Sequence, residues 1–341
     1  MLEHGGRLRA AARQYGIALS DWLDLSTGIN PLGWPVPSMP AECWQRLPEP
    51  DDGLAEAACR CYEADSVLPV AGSQAAIQAL PALRPPGRVG MARPAYAEHA
   101  QAWRRAGHAV VPWSAGDSLD SLDGLDVLLL VHPNNPTGTR YDVARLLQWR
   151  QRLAARGGWL VVDEAFMDAT PAASLARYCA LPGLIVLRSL GKFFGLAGAR
   201  VGFVLAQDAL VRRLDAALGP WTVAGPSRWL ARHALADTAW QAQARIRLAA
   251  ASARLAALLA RHGLAPRGGT ALFQWVRTPQ ASVIQQALAM RGILIRRFAE
   301  PASLRFGLPA GEAAWARLDA GLGAASKEAT VRSRARFRIS R

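Results

Sequence analysis

The chain has 341 residues, 51% of them hydrophobic, and a formal charge of +14. That length and composition suffice to bury a large core, in one big domain plus a smaller one, and no apolar run reaches the ~20 residues of a membrane-spanning helix. The arginines are spread along the whole chain without any DNA- or RNA-binding motif, which argues against nucleic acid as a partner.

The N-terminal stretch MLEHGGRLRAAARQYG lacks the apolar core of a secretion signal, so a cytoplasmic protein is expected. Cys43, Cys59, Cys61 and Cys179 match neither a zinc-site spacing nor a disulfide framework. They read as reduced small hydrophobes, and no metal site is expected. Part of the basic excess lies after Ser326, where five arginines follow Lys327 in what reads as a solvated tail. A positive field of this kind also suits a phosphorylated substrate. Of the 40 basic residues only two are lysines, Lys192 and Lys327. If the chain uses a lysine for chemistry, Lys192 is nearly forced.

Short apolar runs alternate with helical stretches through the middle of the chain. A helix opened by a Gly-Ser turn is predicted over 72–83, and a buried strand over 127–131 that ends in HPNNPTG. A helix over 142–156 follows, then a strand over 159–162 ended by Asp163, and a strand over 184–187 followed by Arg188 and Ser189. This alternation predicts a mostly parallel sheet covered on both faces. Such sheets bind ligands at the carboxyl ends of their strands, where the polar motifs fall. From about Pro226 the pattern changes. A long helical region over 227–262, broken near Asp237, precedes strands over 271–276, 292–296 and 304–307 and helices over 282–290 and 312–322. These suggest a smaller α+β domain.

The motifs at the strand ends match what pyridoxal 5′-phosphate (PLP) chemistry requires: a lysine to hold the cofactor covalently, an acid for the pyridine nitrogen, donors for the phenolic oxygen and phosphate, and an aromatic cover. Lys192 stands in SLGKFFGLAGARVGF, among apolar residues and glycines that disfavour a charged ammonium, as a nucleophilic amine needs. Ser189 and Arg200, on either side of it, can reach a phosphate, Arg200 with its fork of donors. Asp163 ends a buried strand, where a carboxylate is costly unless paired, and a pyridinium N–H is a suitable partner. Asn135 in HPNNPTG can donate to the phenolic oxygen. Gly72, Ser73 and Gln74 open a helix whose free N–H groups make a phosphate cradle. Tyr96, in RPAYAEH, can stack on the ring.

Together these motifs resemble the PLP enzymes of the aspartate aminotransferase superfamily, in the class that contains the histidinol-phosphate aminotransferases and the threonine-phosphate decarboxylases. The resemblance runs from His4 to about Leu322, and its most specific part is NPTG, DEA and SxxK…GxR in that order. It implies an α/β protein of the PLP-dependent transferase fold (aspartate aminotransferase type), with a large, mostly parallel-sheet domain over 42–225. A small α+β domain over 1–41 and 226–325 and a basic tail over 326–341 complete it. It implies that Lys192 and Asp163 are catalytic, that Gly72, Ser73, Gln74, Tyr96, Asn135, Ser189 and Arg200 bind the cofactor, and that Arg305, in LRFGLP, takes the substrate's α-carboxylate.

Within that class the details are closer to the decarboxylases. HGG at the N-terminus, LDLSTGINPLG with Asn30, PWTV, GILIR, and Phe166 in DEAFMD where aminotransferases usually carry a tyrosine all resemble them. On that likeness His4, Asn30 and Arg296 join Asn135 and Arg305 as substrate ligands. The implied reaction is loss of CO₂ from O-phospho-L-threonine, in cobalamin biosynthesis. The alternative is an aminotransferase acting on histidinol phosphate or a related amino acid, and the catalytic residues alone do not separate the two. The resemblance also implies a homodimer. Leu47, in RLPEP, stands where aminotransferases of this class usually place a tyrosine that reaches the neighbouring subunit.

Overall fold

Two sheets carry the chain, one in each of two units. The structure is a computed structural model that describes residues 4–114 and 119–339, with side chains as far as residue 328 apart from 119 and 120. The smaller unit gathers the chain up to Leu32, Pro136–Gly138 and the chain from Ile246 on, and the larger holds Gly33–Asn135 and Thr139–Arg245.

The smaller unit opens with α1 (Leu8–Tyr15) and β1 (Leu23–Leu25). The larger unit follows with α2 (Glu42–Gln45), α3 (Leu54–Tyr62), β2 (Val67–Val70), α4 (Ser73–Ala79), β3 (Arg88–Met91), α5 (Ala97–Arg105) and β4 (Ala109–Pro112). It continues with β5 (Val127–Val131), α6 (Val143–Ala154), β6 (Trp159–Asp163), β7 (Leu184–Ser189), β8 (Gly202–Ala206), α7 (Asp208–Leu218) and α8 (Gly225–Ala236). After α9 (Thr238–Arg261) come β9 (Gly268–Thr270), β10 (Phe273–Arg277), α10 (Ala281–Ala289), β11 (Ile293–Phe298), β12 (Ser303–Gly307) and α11 (Gly311–Ile339).

The larger unit's sheet has the order β2-β8-β7-β6-β5-β3-β4. β4, β3, β5, β6 and β7 run parallel, and β8 is antiparallel to both β7 and β2. Helices can cover both faces of such a sheet, so its central strands read as unbroken apolar runs. Every residue of β5, β7 and β8 is buried. Val70, Ile77, Trp103, Leu129, Val161, Leu187 and Val204 belong to one core cluster. Local signals set the helix ends. Asp142 caps α6 by accepting from the backbone of Arg145, and Asp237 accepts from Trp240 N at 2.9 Å, which starts α9 where the sequence predicts a break.

The smaller unit holds a mixed sheet of order β1-β11-β12-β10-β9. β1 pairs parallel with β11, and β11, β12, β10 and β9 pair antiparallel in turn. Ala11, Trp22 and Ala289 form a small cluster there, with Leu8, Tyr15 and Leu294 packed on it.

Three segments group otherwise than the sequence suggests, and one of them is Pro136–Gly138, expected in the large domain and grouped with the smaller unit. Residues 33–41 and 226–245, expected in the small domain, group with the larger unit. Side-chain contacts account for this. Trp34 Nε1 donates to Asp237 Oδ2 at 3.0 Å, and Arg228 grips Asp52 with Nε–Oδ2 at 2.6 Å and Nη2–Oδ1 at 2.7 Å. The segment expected as a solvated tail continues α11 to Ile339. Alanine, glutamate and arginine there favour a helix, and Arg291 pairs with Glu328 at 2.7 Å. The arginines of that segment lie outside the residues whose side chains are described. Among the described residues no helix is long and apolar enough to cross a membrane.

Candidate active site

The topology brings the larger unit's candidates to one edge of its sheet. β2, β3, β5, β6 and β7 point the same way, so their carboxyl ends share that edge. Gly72–Gln74 follow β2, Tyr96 follows β3, and Asn135 follows β5. Asp163 is the last residue of β6 and Ser189 the last of β7, with Lys192 in the turn beyond it. Arg200 precedes β8, which runs the other way and so begins at the same edge.

Asp163 is 3% exposed and is held on both oxygens. Oδ1 accepts from Ala165 N at 3.0 Å, and Oδ2 lies 2.8 Å from His99 Nε2. The two contacts fix the orientation of the carboxylate at the end of β6. Lys192 is half-buried, and its Nζ sits 5.7 Å from the centre of the Phe166 ring. The phenylalanine therefore offers its face to the amine rather than a hydroxyl to a ligand.

The candidate phosphate corner is built by close backbone approach. Gly72 has φ +70, and a Cβ there would stand 2.8 Å from Arg200 Nη2. Gly202, between Val70 and Ser189 in the sheet, would bring a Cβ to 2.3 Å from Ser73 N. Only glycine leaves both spaces open. Arg200 itself has φ +53 and rests Nη1 on Ala197 O at 3.2 Å. Ser189 Oγ accepts from Gly191 N at 3.4 Å. Tyr96 donates to Gln74 Oε1 at 3.3 Å, and Gln74 Nε2 donates to Glu98 at 3.2 Å. Burial, with the charges of Asp163 and Glu98, pushes the Tyr96 phenol up to about 12, so it stays neutral. Asn135 is half-buried in the turn after β5, and its neighbour Asn134 donates to Pro94 O at 2.9 Å.

In the smaller unit, Arg296 and Arg305 are direct cross-strand partners on β11 and β12. Like charges placed opposite each other repel, an arrangement that an anion would relieve. Arg305 is buried and donates to Ser26 O at 2.7 Å. Burial first, then the Arg296 charge, pulls its guanidinium down to about 10. His4 and Arg296 line one pocket of about 350 Å³ with Arg7, Tyr15, Ser26 and Arg297. Asn30 is buried, and its Oδ1 accepts from Leu32 N at 3.0 Å, which closes a local turn.

Some groups at this edge have no role assigned by the sequence motifs that contain or adjoin them. His99 is one, although it stands in the first turn of α5, three residues after Tyr96, a spacing that could have pointed to it. Glu164 and Arg188, next to Asp163 and Ser189, form a buried ion pair at 2.8 Å that no spacing rule announces.

The larger unit fits PLP on its own geometry. It offers an amine, a buried carboxylate with an orienting imidazole, an aromatic ring, and a glycine-lined corner with serine, backbone and guanidinium donors. The family described as aminotransferase class I and II matches residues 49–317. The chain is 61% identical to a threonine-phosphate decarboxylase of Pseudomonas aeruginosa, covering 94% of this chain and 97% of that one. It is 42% identical to a threonine-phosphate decarboxylase of a Sinorhizobium species, over 89% and 92% of the two chains. A solved histidinol-phosphate aminotransferase from Sinorhizobium meliloti, in complex with pyridoxal 5′-phosphate, superposes with a TM-score of 0.82 at 23% identity, covering 96% of this chain and 95% of that one. On these matches the chain belongs to the aminotransferase class I and II family.

Proposed function

We infer that the chain catalyses PLP-dependent decarboxylation of O-phospho-L-threonine to 1-amino-2-propanol O-2-phosphate, a lyase reaction of cobalamin biosynthesis. The observation that carries this reading is the 61% identity to the Pseudomonas aeruginosa enzyme along 94% of the chain.

Bound PLP supplies the electron sink for the pair left at the substrate's Cα. Lys192 is the residue assigned to hold the cofactor covalently and to deliver the proton that replaces the carboxylate on Cα. Asp163, oriented by His99, keeps the proton on the pyridine nitrogen. Ser73, Gln74, Ser189 and Arg200 hold the cofactor's phosphate, with Gly72 giving the room; Tyr96 covers the ring and Asn135 holds the phenolic oxygen. His4, Asn30, Asn135, Arg296 and Arg305 take the substrate's phosphate and carboxylate. Two arginines allow both anions to be held at once, and a bidentate arginine sets orientation as well as charge. Which bond at Cα breaks would be set by how these residues orient the substrate against the bound cofactor. Anchoring the remote phosphate therefore contributes to turnover as well as to binding.

The protein acts in the cytoplasm as a homodimer in this reading. Val36, Trp44, Leu47 and Trp221 expose 58%, 72%, 65% and 60% of their surface. α2 lies against the start of α8, where a Cβ on Gly225 would stand 2.5 Å from Cys43 O. These exposed large apolar side chains support the dimer in this reading.

The test is substrate discrimination by the PLP-loaded protein. O-Phospho-L-threonine should yield the phosphorylated aminopropanol, while L-threonine should show a lower kcat as well as a weaker KM. Faster turnover of histidinol phosphate with a 2-oxo acid would replace this reading with an aminotransferase.

A further inference from the structure

Behind the strand ends that carry Asp163 and Ser189 lies a charge cluster with no part in the chemistry above. Glu164 and Arg188 are 0% and 2% exposed. Arg188 Nη1 donates to Glu164 Oε2 at 2.8 Å and to Ser174 Oγ at 3.3 Å, and Nη2 pairs with Asp168 Oδ1. Ser174 Oγ donates to Glu164 Oε2 at 2.5 Å, and Leu175 N donates to Oε1 at 2.7 Å. The Arg188 guanidinium lies over the Tyr62 ring at 4.4 Å. Arg245 Nε donates to the Asp168 carbonyl at 2.9 Å.

Stability alone is a poor reason for such a cluster. A buried ion pair roughly cancels its own desolvation cost, and apolar replacements are often as stable. Here the cost is higher still, because Asp168 Oδ2 and Arg188 Nε are buried without a hydrogen-bond partner among the described residues. Its position is more telling. Successive side chains of a strand face opposite sides. Glu164 follows Asp163, and its N–H continues the ladder to Leu187 O at 2.8 Å. Arg188 precedes Ser189 on the neighbouring strand. The Glu164–Arg188 bridge therefore ties the carboxyl ends of β6 and β7 together on the side away from Asp163 and Ser189.

We propose that the Arg188–Glu164–Asp168 cluster is a positioning device, which holds the ends of β6 and β7 so that Asp163 and Ser189 meet the cofactor's pyridine nitrogen and phosphate together. This inference rests on the PLP reading of those two residues. The rigid fork of Arg188 sets both the spacing and the rotation of the two strand ends. The cluster lies on the side of the strand ends away from Asp163 and Ser189, so its effect would be read through the cofactor's affinity and its titration.

The experiment replaces the whole cluster by neutral residues of similar size, Arg188→Met with Glu164→Gln and Asp168→Asn, so that no buried charge is stranded. The apoprotein should unfold near the native midpoint. Its affinity for PLP should fall about tenfold, the scale seen when groups that orient a ligand's partners are removed. The pH midpoint of the bound cofactor's absorbance should shift as well. Arg188→Lys, which keeps the charge and loses the fork, provides the same reading if the triple variant does not fold, with a smaller loss. Native PLP affinity and an unshifted absorbance profile in a folded variant would overturn the proposal. Asp163→Asn and Ser189→Ala, measured alongside, separate the two failures. If they weaken PLP binding and the cluster variants do not, the positioning role alone is wrong. If none of them does, the cofactor reading falls and the proposal with it.

Discussion

His99 Nε2 lies 2.8 Å from Asp163 Oδ2, and both side chains are buried, at 1% and 4% exposure. The imidazole N–H fills one side of the carboxylate while Ala165 N fills another, so the acid is oriented before any ligand arrives. Asp163→Asn should retain PLP, more weakly held, but lose about a hundredfold or more in kcat, because a neutral amide cannot hold the ring's positive charge. His99→Phe should cost about tenfold, with His99→Gln between Phe and wild type because it keeps a donor. Steady-state kinetics check both. Native turnover in Asp163→Asn would remove this residue from the mechanism.

Lys192 should carry the cofactor. The purified protein should be yellow, and borohydride followed by peptide mapping should place the reduced pyridoxyl group on Lys192. Lys327, the chain's other lysine, is exposed on α11. Label on Lys327 instead would contradict the assignment.

Much of this edge is legible in the sequence because its chemistry is local. Asp163, Ser189 and Lys192 each end or follow an apolar run, and a parallel sheet with strand-end sites follows from the alternation of strands and helices. β8 is not legible in the same way: its antiparallel entry between β7 and β2 depends on pairings far along the chain. The Glu164–Arg188 cluster and the His99–Asp163 contact are hidden for the same reason. They join residues 24 and 64 positions apart, and no periodicity records which face a strand's polar residue will meet. The extent of the larger unit is misjudged from sequence at 226–245, because the contacts of Arg228 with Asp52 reach across 176 positions.

Stability should fall on the acid side in a way that His132 controls. Its ring is fully buried, accepts from Tyr141 N at 3.3 Å and donates to Ala173 O at 3.3 Å. Burial pulls its pKa from 6.5 down to about 4. Between those values the unfolded chain binds a proton that the folded chain refuses, so stability present above about 6.5 is lost as pH drops towards 4. Each tenfold weakening of proton affinity is worth ~1.4 kcal/mol, which makes the loss roughly 3 kcal/mol at most. Urea unfolding at a series of pH values should show this slope in the wild type and a shallower one in His132→Gln. Equal slopes would assign the acid sensitivity to other groups.

The exposed apolar surface around α2 should mediate dimerisation. Trp44→Ser combined with Trp221→Ser should shift the protein from dimer towards monomer in light scattering at micromolar concentration, with the fold intact by circular dichroism. Aromatic anchors of this kind commonly carry about 2 kcal/mol or more each, roughly a thirtyfold change in dissociation constant. A wild-type protein that is already monomeric would refute the dimer.

The central claim is the choice of bond, and a single-turnover experiment measures it. PLP-loaded protein is mixed with less than one equivalent of carboxyl-labelled O-phospho-L-threonine, and released CO₂ and pyridoxamine 5′-phosphate are counted in the same sample. The label should leave as CO₂ in near-stoichiometric amount, with 1-amino-2-propanol O-2-phosphate as its partner and the cofactor recovered as PLP. Stoichiometric pyridoxamine phosphate and a labelled oxo acid, without CO₂, would contradict the account.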